Sequence, residues 1–170
     1  MSGKGENFEP NVMITREEFA QILYNHKGKP DVDAGAANNP FPDVKSGKWY
    51  VKAVLWAKDN AIVKGYGNGK FGVGDPFTRE QLAQMLYNYA MLCGYDLTKT
   101  EGASNGYVDS AKISEWANNC MDWAISQGIM NGKGQSGASK SELKLDPKGK
   151  ATRAECASMI MKLLVKNGIN

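Results

Sequence analysis

One junction occurs three times in this chain: a polar loop passes through an acidic residue and a proline into Thr-Arg, and a helix-forming stretch follows. In the second copy, Gly65-Tyr66-Gly67-Asn68-Gly69-Lys70-Phe71 leads to Asp75-Pro76 and then Thr78-Arg79-Glu80-Gln81-Leu82-Ala83. Near the N-terminus, Gly3-Lys4-Gly5-Glu6-Asn7-Phe8-Glu9-Pro10 leads to Thr15-Arg16-Glu17-Glu18-Phe19-Ala20. In the third copy, Gly132-Lys133-Gly134 opens a longer polar loop, followed by Leu145-Asp146-Pro147 and Thr152-Arg153-Ala154-Glu155-Cys156-Ala157. Self-similarity at this spacing marks a repeat architecture, in which one unit cannot bury its apolar face alone and must share a core with its neighbours.

Two copies carry a matching upstream half. Phe41-Pro42-Asp43-Val44 precedes Trp49, Trp56 and Ala57, while Tyr107-Val108-Asp109-Ser110 precedes Trp116, Trp123 and Ala124. The division expected is a partial repeat at residues 1–28 and complete repeats at 41–91 and 107–166, the last with an extended loop from Gln135 to Lys144. Connectors rich in small and polar residues fill 29–40 and 92–106. Each full unit reads as helix, Gly-rich loop, helix. Trp49, Ala53, Trp56 and Ala57 share one helical face, as do Trp116, Cys120, Trp123 and Ala124. The second helix opens with a capping box in every copy, Thr15 with Glu18, Thr78 with Gln81 and Thr152 with Glu155. Its buried stripe is Phe19, Ile22 and Leu23, then Leu82, Met85, Leu86 and Tyr89, then Cys156, Met159, Ile160 and Leu163. Packing the second helices together predicts an all-α fold of tandem helix-loop-helix repeats, a pseudo-threefold helical bundle.

Composition removes several function classes. Lys and Arg number 21 against 18 Asp and Glu, and the net charge of +3 is too small and scattered for a nucleic-acid footprint. No window approaches the roughly 18 apolar residues of a membrane span, so membrane insertion is not expected. Met1 to Asn11 has no basic start or apolar stretch, so an exported protein would have to be longer than this chain. Cys93, Cys120 and Cys156 are odd in number and irregular in spacing, which suits small core residues better than disulfides or a zinc site. Gly69-Lys70 lacks the Ser or Thr of a phosphate-binding loop, and Asp31-Val32-Asp33 lacks the later oxygen ligands of a calcium loop. His26, the sole histidine, takes the helical position of Tyr89 and Leu163. With no pair of carboxylates singled out for glycosidase chemistry, no catalytic residue, cofactor or metal is expected.

The ordered set of an aromatic-x-Asp start, a Trp-bearing helix, a GYGNGKF loop and a Thr-Arg junction resembles the S-layer homology domain family. The resemblance implies a three-pronged helical fold and non-covalent anchoring of an exported bacterial protein to the cell wall or S-layer. The implied ligand is an anionic secondary wall polysaccharide, often bearing pyruvate ketals, and the family's ligand-binding arginine corresponds to Arg16, Arg79 and Arg153. The expected setting is the terminal part of a larger surface protein.

The residues support such chemistry. Asp or Glu is the favoured charge in the first turn of a helix, so an arginine directly after the cap three times over points to a role beyond local stability. A carboxylate could accept paired hydrogen bonds from each guanidinium near the positive helix end. Gly67 and Gly69 would let backbone approach a sugar, Trp49 and Trp116 could cover its apolar face, and Asp43 and Asp109 could accept hydroxyl protons or orient the arginine. Two plainer readings stand beside these: arginines paired with Asp43, Asp109 or Glu80, and tryptophans packed in the core. The alternative function is a structural assembly unit of a surface layer without glycan binding, in which self-association supplies the half missing from the first repeat.

Overall fold

The computed structural model describes residues 7–35 and 38–169. The Gly3-Lys4-Gly5 loop expected in the first repeat therefore lies outside the described residues. Five helices carry the fold: α1 (Arg16–His26), α2 (Val51–Asp59), α3 (Arg79–Cys93), α4 (Asn118–Ser126) and α5 (Arg153–Lys166). Among the described residues extended pairing is limited to isolated bridges, so the fold is all-α.

Helices α1, α3 and α5 each begin directly after the threonine read as their cap. The capping residue of the box is visible in the bonds from Thr15 N to Glu18 Oε2 (3.0 Å), Thr78 N to Gln81 Oε1 (3.0 Å) and Thr152 N to Glu155 Oε2 (2.9 Å). These bonds satisfy donors that a helix start leaves without intrahelical partners. Helix α3 stops at Gly94, whose φ of 68° lies in the left-handed region that glycine adopts at least cost.

The chain divides into two compact units that are out of phase with the sequence repeats. Among the described residues, 14–77 form the first, and 7–13 join 78–169 in the second. In the first unit, α1 packs on α2. Phe19 meets Phe77 edge-on at 5.5 Å, Tyr24 meets Trp56 at 5.7 Å, and Phe41 meets Phe71 at 5.7 Å. Full burial of side chains such as Phe19 and Leu23 contributes about 1.5–3 kcal/mol each. In the second unit α3 packs on α4, with Tyr87 edge-on to the fully buried Trp123 at 5.3 Å. Cys120 and Cys156 are buried among these apolar residues, and burial pushes the Cys120 thiol up to about 12. Cys93 ends α3 half-buried.

Packing units are out of phase because the first two Thr-Arg junctions each pair with the loop of the following repeat. Thr15 bridges Pro76, and Arg16 N donates to Asp75 O at 3.0 Å. Thr78 bridges Lys150, and Arg79 N donates to Gly149 O at 2.9 Å. The third junction takes its partner from the N-terminal segment: Thr152 bridges Met13, and Arg153 N donates to Val12 O at 2.8 Å.

The structure departs from the predicted faces in two ways. Ile22 and Ile160 are half-buried rather than core. Trp49 and Trp116, placed by spacing on the buried face with Trp56 and Trp123, are 60% and 53% exposed. Trp49 precedes the first helical residue of α2, and Trp116 lies in a one-turn 3-10 helix, Glu115–Ala117, whose tighter winding breaks the 3.6-residue period.

Candidate functional site

The three arginines are buried, with exposures of 6% for Arg16 and 4% each for Arg79 and Arg153. Each donates from Nε to one backbone carbonyl in the loop its own junction pairs with. Arg16 Nε bonds Phe71 O at 2.7 Å, Arg79 Nε bonds Leu145 O at 2.7 Å, and Arg153 Nε bonds Phe8 O at 3.0 Å. Phe71, Leu145 and Phe8 are the apolar residues that close the three loops before the acidic residue and proline. The guanidinium is therefore a fastener between two repeats in each case, the third with the first for Arg153.

Their remaining surroundings differ. The Arg16 guanidinium lies 4.6 Å from the Tyr66 ring centre, 5.0 Å from Phe71 and 5.1 Å from Phe77. Burial lowers its pKa, an effect opposed by Tyr66, Asp75, Asp43 and Glu17; guanidinium remains charged at any physiological pH. Arg79 is held by three acceptors, adding Glu155 Oε1 to Nη1 at 2.9 Å and Asn131 O to Nη2 at 3.0 Å. Arg153 stacks near Phe8 at 5.4 Å.

The aspartates act on the same loops. Asp43 accepts from Phe71 N (2.9 Å), Gly72 N (2.7 Å) and Val73 N (3.0 Å), while Asp109 accepts from Leu145 N (2.7 Å) and Asp146 N (2.8 Å). Partial burial disfavours the Asp43 carboxylate, but the three N–H donors outweigh it and hold its pKa below the ordinary carboxylate value. Each aspartate thus orients its arginine through the loop, by fixing the segment whose carbonyl the guanidinium grips.

Gly67 and Gly69 sit at an exposed turn closed by Tyr66 N to Lys70 O at 2.7 Å, and a Cβ at either would meet no neighbour. Close approach is instead required at Gly65, where a Cβ would lie 2.6 Å from the Phe41 ring, and at Gly132, where it would lie 2.7 Å from Leu143 and 2.8 Å from Tyr107. The extended third loop keeps the same base: Lys133 N donates to Lys144 O (2.7 Å) and Lys144 N to Lys133 O (3.0 Å).

Beside Arg79 the second unit carries an open cavity of about 340 Å³, lined by Asn131, Gly132, Lys133, Glu155, Ser158 and Lys162 among others. Three cations there face one lining carboxylate. Lys133 Nζ lies 3.0 Å from Glu155 and 2.9 Å from Asp146. Burial opposes the Glu155 carboxylate, yet the Thr152 N–H, Lys133 and Arg79 keep its pKa below the ordinary value. Sequence reading missed Lys133 and Lys162, because single surface lysines carry no local pattern. Among the described residues no group of acidic, His or Cys side chains is arranged to hold a metal.

This arrangement of loop, capped helix and buried arginine coincides with a known domain. The S-layer homology domain matches residues 1–20 and 40–83. The chain belongs to the S-layer homology family. It is 37% identical over 163 residues, 95% of its length, to an amylopullulanase of Thermoanaerobacterium thermosulfurigenes, and 28% identical over 89% of its length to a surface-layer 125 kDa protein of Lysinibacillus sphaericus. It is 24% identical over 98% of its length to a cellulosome-anchoring protein of Acetivibrio thermocellus. The chain spans 8%, 12% and 35% of those relatives, respectively. The enzymatic name of the first therefore belongs to a protein of which the matched S-layer homology part is a small share. Membership of this family places the module at the bacterial cell surface. No helix is long and apolar enough to cross a membrane among the described residues.

Proposed function

We propose that the chain anchors a bacterial surface protein to the wall by binding an anionic secondary wall polysaccharide, with a pyruvate ketal as the acidic group recognised. The observation that carries this reading is the cavity beside Arg79, where Lys133 and Lys162 join the buried guanidinium and a single carboxylate lines the wall. A carboxylate entering there meets a cationic field and exchanges its hydration for ammonium donors. Arg79 has its three nitrogens engaged by protein acceptors, so its contribution is a fixed positive charge at the floor, while Lys162 and Lys133, the latter paired at the rim with Glu155 and Asp146, are the groups that turn towards the ligand.

The test is sedimentation of the chain with native wall sacculi and with the same walls after acid extraction of the secondary polymer. Binding to native walls, loss on extraction and a marked loss in Lys133→Glu/Lys162→Glu support the reading. Equal binding to extracted walls overturns it. Lys133 is exposed and Lys162 half-buried, and neither bonds across a repeat junction, which makes this pair a cleaner probe than Arg79→Ala, whose loss of binding would also follow from a broken junction.

A further inference from the structure

The first unit has a second cationic cleft that shares no residue with the Arg79 cavity. Its volume is about 570 Å³, and its lining includes Gln21, Tyr24, Lys29, Lys48, Trp49 and Lys52, with no carboxylate. Trp49 is held perpendicular to Tyr50 at 5.2 Å while remaining 60% exposed. A turn with Val51 N bonded to Lys48 O at 3.2 Å presents Lys48 and Trp49 side by side to solvent. Lys29 is fixed from the other side. Its φ of 55° lies in the left-handed region that a lysine adopts only at some cost. Its N–H bonds Tyr24 O at 3.0 Å, and the Tyr24 hydroxyl donates to Pro30 O at 2.8 Å. Among the described residues the carboxylate paired with the cluster is Asp31, 3.8 Å from Lys52 Nζ and fully exposed, a pairing too solvated to neutralise it.

The other complete repeat is an internal control. At the places of Lys48, Trp49 and Lys52 it has Glu115, Trp116 and Asn119, and Leu92 stands where α1 is followed by Lys29. The exposed indole is thus retained in both copies, and the three lysines are not a demand of the fold. Their convergence around Trp49 requires a different cause.

We infer that the Trp49 cleft is an additional subsite for an acidic saccharide unit, whose apolar ring face stacks on the indole while Lys29, Lys48 and Lys52 hold its anionic group. Lysines are mobile point charges suited to an anion presented at variable angles, and an exposed indole gives a flat apolar surface for a pyranose. The inference rests on the reading of the chain as a wall-glycan anchor: a second subsite on one polymer chain raises retention through effective concentration rather than through tight individual contacts.

The experiment follows the indole N–H signals of the isotope-labelled chain by NMR during titration with oligogalacturonate, with maltooligosaccharide and inorganic phosphate as the neutral and non-sugar probes. Oligogalacturonate is expected to shift Trp49 and leave Trp116 in place. Lys48→Glu/Lys52→Asn, which installs the residues of the other repeat, is expected to weaken that binding about tenfold. Equal shifts from maltooligosaccharide or from phosphate, or an unchanged affinity in the double variant, overturn the inference. In parallel, Trp49→Ala is sedimented with native walls. Wild-type binding with an undiminished Trp49→Ala overturns the subsite and leaves the anchoring function standing. Failure of the wild-type chain to bind overturns the anchoring reading, and the saccharide titration then decides the cleft alone.

Discussion

Replacing Asp43 by alanine removes the one acceptor shared by three consecutive N–H groups, those of Phe71, Gly72 and Val73. Phe71 and Gly72 are buried, so their amides cannot be fully rehydrated in place. A hydrogen bond to a charged acceptor is worth about 1.5–3 kcal/mol, and a buried donor left unpaired costs about 1–3 kcal/mol. Asp43 itself is half-buried, and water entering the vacated space recovers part of the loss. About 3 kcal/mol for the whole triad is the resulting expectation. For a chain of this length each kcal/mol moves the melting midpoint by about 2–4 °C, so Asp43→Ala should melt about 6–12 °C below the parent, and Asp43→Asn, which keeps one acceptor oxygen, by about half as much. Thermal unfolding followed by far-ultraviolet circular dichroism reads the midpoint. An Asp43→Ala midpoint within about 1 °C of the parent would refute the claim that this carboxylate holds the loop.

Arg79→Met leaves Glu155 and the carbonyls of Leu145 and Asn131 without their shared donor, and urea unfolding should find a loss of about 3–5 kcal/mol. Gly65→Ala forces the Phe41 ring aside at a positive φ and should destabilise by more than about 1 kcal/mol in the same assay, whereas Gly67→Ala, with open space around its Cβ, should stay within about 0.5 kcal/mol. Asp43, Asp122 and Glu155 all have pKa values depressed in the folded protein: burial opposes each charge, and hydrogen bonds, joined at Asp122 and Glu155 by nearby cations, outweigh it. The unfolded chain therefore takes up protons first, and the stability these groups add is complete above the unfolded carboxylate range near pH 4 and is lost as pH falls through the lower folded values. The melting midpoint should drop steeply in that window, and the drop should be shallower in Asp43→Asn.

Helix starts were the most legible part of the fold, because a capping box is local: Thr15, Thr78 and Thr152 each announce the helix that follows within three residues. The apolar stripe of α3 was equally legible, since Leu82, Met85, Leu86 and Tyr89 keep helical spacing and all are buried. The same periodicity misled at Trp49 and Trp116, where the helix had not yet begun. The arginines illustrate the other limit. Their spacing flagged them, but the carbonyls they grip are 55, 66 and 145 residues away, so no local pattern reveals that the guanidinium is already engaged. Asp43 and Asp109 show the same limit: sequence offered sugar hydroxyls or the arginine as their partners, whereas the amides they accept from lie 28 to 37 residues away, beyond any local pattern.

The most direct measurement is calorimetric titration of the chain with polysaccharide released intact from native walls, run before and after enzymatic or mild-acid removal of its carboxylate-bearing groups. The anchoring account predicts saturable binding that weakens as added salt shortens the screening length from about 10 Å towards about 3 Å, and that disappears with the acidic groups and in Lys133→Glu/Lys162→Glu. Undiminished heats from the neutralised polymer, or from the charge-reversed chain, would contradict it.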